Sequence, residues 1–156
     1  MDPEGALPRA PQPPPGPRSE AGRAGSTVAF VVALLFLGDT FLAWQRACVQ
    51  LPGGLFIGSF CVRVNAWHGT AAGLGAISGI AAILLLLWEG MRIAGADLNV
   101  GVEHRVVTTV LAGAIVVAAV LKWALVLGKF AALGAWLGLV LAATLAGWVT
   151  LQPRSG

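Results

Sequence analysis

Two ionisable side chains lie within long apolar segments of this sequence, and they are the first candidates for chemistry. Asp39 lies five residues before Trp44, and Lys122 lies five residues before Leu127. If both segments cross a membrane in the same direction, each charge sits roughly 7–8 Å inside the same boundary. Equal depth predicts an intramembrane charged pair. The alternatives are a carboxylate that handles protons or cations, as in small proton-coupled carriers, and independent snorkelling of both side chains to the interface.

The two cysteines belong to one polar segment, residues 45–67, between the first two apolar stretches. Cys48 and Cys61 lack the CxxC spacing of disulfide oxidoreductases and are too few for a structural zinc site. An outer loop experiences an oxidising compartment, so we expect a structural disulfide between them. A turn signal at 52–54 and alternating apolar residues at 60–64 predict a short two-stranded excursion within this loop.

The two histidines raise the question of a cofactor. His68 and His104 could in principle supply both axial imidazoles of a b-type haem. The predicted topology places them on opposite faces of the membrane, where a single iron cannot reach both. We therefore expect no haem, no His-based metal site and no other cofactor, and we interpret each imidazole as an interfacial hydrogen-bonding group.

The composition indicates an integral membrane protein. Of the 156 residues, 57% are hydrophobic and 11% charged, and the mean hydropathy is +0.82, whereas an average soluble domain is roughly 45–50% apolar. Each apolar stretch is close to the roughly 17–25 residues that cross about 30 Å of hydrocarbon. Small residues four apart, such as Gly75 with Gly79 and Gly134 with Gly138, are typical of close packing within a helical bundle. The predicted spans are 27–44, 70–88, 106–127 and 130–151.

The segment 1–26 precedes the first span and holds most of the nine prolines. Such a composition cannot bury enough apolar area to offset ordering entropy, which predicts a disordered proline-rich tail. The PxxP spacing from Pro11 to Pro14 leaves a ligand for a proline-recognition domain as an alternative. A cleaved signal peptide is the alternative for the first span, but no small-residue cleavage site ends it.

Orientation follows from the distribution of cations. With four spans, the N-terminal tail, the 89–105 loop and the C-terminal tail share one side and hold more arginines than the other side. The positive-inside rule then places both termini in the cytoplasm. The connection at Gly128-Lys129 is short enough to make the last two helices an antiparallel hairpin. The cations on the inner side are Arg9, Arg18, Arg23, Arg92, Arg105 and Arg154, and those on the outer side are Arg46, Arg63 and Lys129.

Two short motifs flank the outer loop: FLAWQRACV at the end of the first span and VRVNAWHG before the second. Here the chain resembles an uncharacterised group of small four-helix integral membrane proteins of actinobacteria. The resemblance covers the first two helices and their loop. It implies the four-span fold and brings no activity or binding site.

These features together predict an all-α membrane protein, a four-helix transmembrane bundle running up-down-up-down over residues 27–151. We expect a non-enzymatic accessory or structural protein of the cell membrane, acting in the lipid bilayer through a membrane-protein partner or as a homo-oligomer. The alternative is a small oligomeric proton-coupled transporter or channel using Asp39. An enzyme is disfavoured because no nucleophile with a base, metal ligands or phosphate-binding loop can be identified. The cations are scattered singly, which argues against a nucleic-acid partner.

Overall fold

The computed structural model describes residues 17–50, 59–96, 101–127 and 131–151. They form four helices and one two-stranded antiparallel hairpin. The predicted turn at 52–54 and the predicted Gly128-Lys129 connection lie outside these residues. The elements in chain order are α1 Pro17–Asp39, β1 Gln45–Gln50, β2 Ser59–Val64, α2 Ala72–Ile93, α3 His104–Val126 and α4 Leu133–Leu151.

The first helix differs from its predicted span at both ends. It begins at Pro17, so residues 17–26 are helical and the predicted tail extends too far; residues 1–16 lie outside the described part of the chain. Proline suits the first helical position, because its missing N–H would be unpaired there anyway. The helix ends at Asp39 rather than Trp44, since the chain then turns. Thr40 Oγ1 donates to the Leu37 carbonyl at 2.6 Å in this turn.

Three predicted spans correspond to helices that are long and apolar enough to cross a membrane: α2, α3 and α4. The apolar part of α1, Ala24–Asp39, is shorter. The second helix continues past its predicted end at Trp88 to Ile93, which places Glu89 inside the helix. The fourth begins at Leu133 rather than at residue 130.

The four helices surround one core. The first packs against the second and the fourth, the second against the third, and the third against the fourth. Each contributes a large apolar side chain that is at most 1% exposed, and examples are Phe36, Leu85, Ile115 and Leu145. The outer surfaces of the helices are also apolar, with Leu35, Leu87, Val110 and Val140 all more than half exposed. Such an apolar exterior is typical of helices in contact with lipid.

The strands β1 and β2 confirm the predicted two-stranded excursion. Gln45 pairs with Val64 at one end of the hairpin and Gln50 with Ser59 at the other. The chain before α4 joins the base of this hairpin: Gln45 forms an isolated bridge with Ala131, and the Ala132 N–H donates to the Trp44 carbonyl at 3.0 Å. The hairpin is therefore fastened to the ends of α1 and α4. We call this the hairpin end of the helices.

Candidate functional site

Trp44 occupies the centre of the hairpin end. Its side chain is 0% exposed, so it is a core residue of the protein. The indole Nε1 donates to the Asp39 carbonyl at 3.1 Å. Glycine at position 138 makes room for the ring, because a Cβ there would lie 2.5 Å from Trp44 Cζ2 and 2.6 Å from Asp39 Oδ2.

Lys122 is 0% exposed and binds backbone carbonyls. Its Nζ donates to the carbonyl of Thr70 at 3.2 Å and to that of Ala71 at 3.1 Å. It also lies 6.0 Å from the centroid of the Trp44 ring, near the outer limit for a cation–π contact. Ala71, whose carbonyl accepts one of these bonds, has a left-handed backbone with φ of 57°. The lysine therefore connects α3 to this turn at the start of α2.

Gln45 makes a second connection to the same turn. Its Nε2 donates to the Thr70 carbonyl at 3.2 Å, and its Oε1 accepts from the Thr70 N–H at 3.3 Å. The Gln45 residue is 8% exposed. One side-chain amide thus replaces the two hydrogen bonds that a neighbouring strand would provide, and it ties β1 to the start of α2.

Asp39 is buried close by without the predicted partner. It is 2% exposed, and both of its carboxylate oxygens lack a hydrogen bond to any described residue. No ion pair joins Asp39 to Lys122, whereas Glu89 and His104 do form one, with Glu89 Oε1 3.1 Å from His104 Nε2. The physical reason is that backbone carbonyls bind the ammonium group, while the Trp44 ring borders both side chains. The equal depth was insufficient to predict contact.

Trp67 fixes the other strand of the hairpin to the helices. Its Nε1 donates to Thr40 Oγ1 at 3.0 Å, and the Ala66 N–H donates to the Thr40 carbonyl at 3.0 Å. A Cβ at Gly79 would overlap the Trp67 ring, and one at Gly75 would overlap the Ala66 carbonyl. The small residues that were predicted to bring helices together therefore accommodate the ends of the hairpin.

Cys48 and Cys61 lie directly opposite each other in the hairpin. Their sulfur atoms are at disulfide-bonding distance, as predicted, and their Cα atoms are 4.0 Å apart. Such a short separation is typical of a non-hydrogen-bonded antiparallel pair, which brings side chains close together. Two residues further along each strand, Arg46 pairs with Arg63 on the same face. The hairpin thus holds two cationic side chains next to each other.

A second polar cluster lies at the opposite end of α2. Glu89 is 1% exposed. Its carboxyl group accepts from Thr108 Oγ1 at 2.6 Å and from His104 Nε2 at 3.1 Å. The imidazole of His104 also stacks on Trp88, with the ring centroids 5.3 Å apart. We call Glu89, His104 and Thr108 the Glu89 cluster, and this end the Glu89 end.

Sequence reasoning missed the Glu89 cluster because it placed Glu89 in a loop. The signal that was present is the spacing of His104 and Thr108, which are four residues apart and therefore share one face of α3. His68, by contrast, precedes α2 at the hairpin end, where its Nδ1 lies 2.8 Å from Asn65 Oδ1. The two histidines thus lie at opposite ends of α2, a helix of about 33 Å by its residue count.

The two polar ends are separated by the apolar core. The layer between them includes the four large core side chains together with buried alanines of α2, α3 and α4. Among the described residues, the buried polar side chain in this layer is Ser78, and its hydroxyl donates to the Gly75 carbonyl of its own helix at 2.9 Å. It does not connect Asp39 to Glu89. The arrangement fixes backbone and side chains at each end, and the residues that the structure describes form no polar pathway between the ends.

Comparison with known proteins adds no further constraint. No family model, no curated protein and no solved structure matches this chain.

Proposed function

We propose that this chain is a non-enzymatic accessory protein of the cell membrane. In this proposal the four helices form an up-down-up-down transmembrane bundle with both termini in the cytoplasm, and they support the hairpin at the outer surface. Three helices of sufficient length and apolarity, together with the apolar exterior, support the membrane location. The excess of arginines on the side of the termini supports the orientation.

One observation carries the accessory role: the polar side chains buried at the hairpin end hold the hairpin onto the helices. Lys122 and Gln45 bind the backbone at Thr70, and Trp67 binds Thr40. Buried polar groups engaged in this way fix a unique geometry, because an unpaired partner would be costly. A rigid extramembrane hairpin suits a protein that acts through contact with other molecules.

Reporter fusions test the orientation. An alkaline-phosphatase-type reporter at the C-terminus should be inactive, whereas the same reporter inserted within residues 51–58 should be active, because this enzyme matures only outside the cytoplasm. A fluorescent reporter that matures only in the cytoplasm gives the complementary readout at both positions. Activity at the C-terminus together with inactivity in the loop would contradict the proposed orientation.

A small proton-coupled transporter is the second candidate, and one observation favours it. The buried Asp39 carboxylate has no hydrogen-bond partner among the described residues, and intramembrane carboxylates of this kind often handle ions. Uptake of a panel of lipophilic cations into proteoliposomes, driven by an imposed proton gradient, separates the two functions. The accessory role predicts equal uptake for wild type, Asp39→Asn and empty liposomes. Gradient-driven uptake that Asp39→Asn abolishes would favour the transporter.

A further inference from the structure

A cavity of about 380 Å³ opens beside the hairpin. Its polar lining comes from Arg63, Asn65 and His68, and its apolar lining comes from Phe41, Ala43 and Val64. The cavity is lined neither by the buried Asp39 and Lys122 nor by the Glu89 cluster. It combines one strong anion-binding group with an apolar wall.

No described residue supplies a counter-charge to the cationic side of this cavity. Arg63 is exposed and forms no ion pair with any described residue. Its cross-strand neighbour is Arg46, which is likewise exposed and without an ion pair in the described part of the chain. Like charges directly opposite each other destabilise a strand pair. An anion bound between or beside the two guanidinium groups would remove this repulsion and add charge-assisted hydrogen bonds.

The remaining polar side chains leave donors for the same anion. Asn65 Oδ1 accepts from the Trp67 N–H at 3.2 Å and lies 2.8 Å from His68 Nδ1. An amide oxygen only accepts, so Nδ1 is the donor in that contact. These contacts orient the asparagine and leave its Nδ2 without a hydrogen bond to any described residue. Arg63 and Asn65 can thus both donate into the cavity.

Exposed apolar side chains lie beside the cavity and on α1. Phe41, which lines the cavity, is 63% exposed, and its neighbour Leu42 is 47% exposed. On α1 itself, Leu35 and Val31 are one turn apart and are also exposed, at 56% and 45%. A ligand whose anionic group lies at Arg63 therefore meets the exposed ring of Phe41, and the preceding helix offers further apolar surface to its chains. This pairing of a charged group with a long apolar surface is the chemistry of a phospholipid.

We propose that this cavity binds the phosphate headgroup of an anionic phospholipid, with Arg63 and Asn65 as donors and the acyl chains along Phe41 and α1. The inference rests on the proposed membrane location. Free phosphate would use the donors and leave the apolar wall without a role. The bound lipid would couple the hairpin to the surrounding bilayer.

Thermal unfolding of the full-length chain in detergent tests the site. Phosphatidylglycerol, phosphatidylcholine and inorganic phosphate are added separately to wild type, Arg63→Gln and Arg92→Gln. Arg92→Gln is the matched control, because it removes the same charge at the end of α2 that lies far from the cavity. We expect phosphatidylglycerol to raise the melting temperatures of wild type and Arg92→Gln equally. Arg63→Gln should bind this lipid with an apparent affinity about tenfold weaker than wild type, because it loses a charge-assisted hydrogen bond.

Without lipid, Arg63→Gln should be at least as stable as wild type, because the cross-strand repulsion is gone. Arg63→Lys keeps the charge but loses the bidentate fork, so its affinity should fall between those of wild type and Arg63→Gln. If phosphatidylglycerol shifts the melting temperatures of Arg63→Gln and wild type equally, the proposed site is wrong. If phosphatidylcholine or inorganic phosphate shifts the melting temperature of wild type as much as phosphatidylglycerol does, the ligand is not specifically an anionic phospholipid. Release of the chain from membranes by alkaline carbonate would instead contradict the proposed membrane location.

Discussion

At the scale of single residues, Asp39 and Lys122 differ in what binds them. The lysine donates to two backbone carbonyls, whereas the carboxylate of Asp39 is buried against Gly138 with no hydrogen bond to a described residue. A charge at the centre of a membrane helix costs about 2.5–3.5 kcal/mol on insertion scales, and less near the interface. Carbonyl dipoles offset that cost for the lysine. No described residue donates a hydrogen bond to the Asp39 carboxylate, so its burial is not offset in this way.

Because no ion pair joins these two side chains, removing one charge should not relieve the effect of removing the other. We expect the change in unfolding free energy for the double variant Asp39→Asn/Lys122→Met to lie within about 1 kcal/mol of the sum of the single changes, a margin that allows for coupling through the Trp44 ring that borders both. Reversible thermal or denaturant unfolding in a mild detergent measures all three variants. A double variant that recovers most of the stability lost in the single variants would mean that the two charges meet.

The Glu89 cluster permits a sharper test with an isosteric change. Thr108→Val removes the hydroxyl that donates to Glu89 Oε1 at 2.6 Å and leaves the buried carboxyl group short of a donor. We expect a loss of about 1–3 kcal/mol of unfolding free energy. Thr144→Val is the matched control, since its exposed hydroxyl only donates to the Val140 carbonyl of its own helix. An equal effect of the two substitutions would show that the Glu89 contact adds no stability.

At the scale of elements, the surface of α4 is complementary to the Trp44 side chain at the base of the hairpin. The helix is glycine-rich on the side that faces Trp44, where a Cβ at Gly138 would lie within 2.6 Å of both the indole ring and Asp39 Oδ2. The indole is completely buried by this contact. Aromatic side chains of this size dominate the energetics of packing, so the fit at Gly138 contributes to holding the chain between α1 and β1 in place.

Adding one methyl group to α4 should therefore have opposite effects at two glycines. Gly138→Ala should destabilise the protein by about 1–3 kcal/mol, because overpacking displaces Trp44. Gly147→Ala should be neutral or should stabilise by up to about 1 kcal/mol, since nothing lies within 4 Å of its added Cβ and alanine favours helix. Unfolding in detergent measures both. Equal effects at the two positions would mean that Trp44 is not seated against Gly138.

At the scale of the whole molecule, the chain separates polar groups to its two ends and presents apolar surface between them. The large core side chains of the four helices fill the centre, and the outward faces of the same helices are apolar as well. Backbone groups between the ends are paired within helices, which is the requirement that lipid imposes on any spanning segment. The hairpin is the main element outside the helices among the described residues, and residues from the ends of all four helices contribute to its attachment.

The sequence by itself determined the features that depend on short windows. Hydropathy is a local sum, so α2, α3 and α4 could be predicted within a few residues of their actual bounds. Alternation at residues 60–64 predicted β2, and the location of both cysteines in one loop predicted their pairing. The ends of α1 were predicted less well, because the polar start of the helix lacks a hydropathy signal and its end is set by the turn at Thr40.

Only the tertiary structure decided which groups meet. Lys122 binds a carbonyl 52 residues away in the chain, and Glu89 binds a hydroxyl 19 residues away. The register of the hairpin brings Arg46 opposite Arg63, although the two arginines appear as isolated charges in the sequence. Depth in a membrane restricts a side chain to a layer, and several acceptors compete within each layer. Which acceptor is used depends on the rotation of each helix about its axis and on where the Trp44 and Trp67 rings pack. Both are determined only when the four helices pack together.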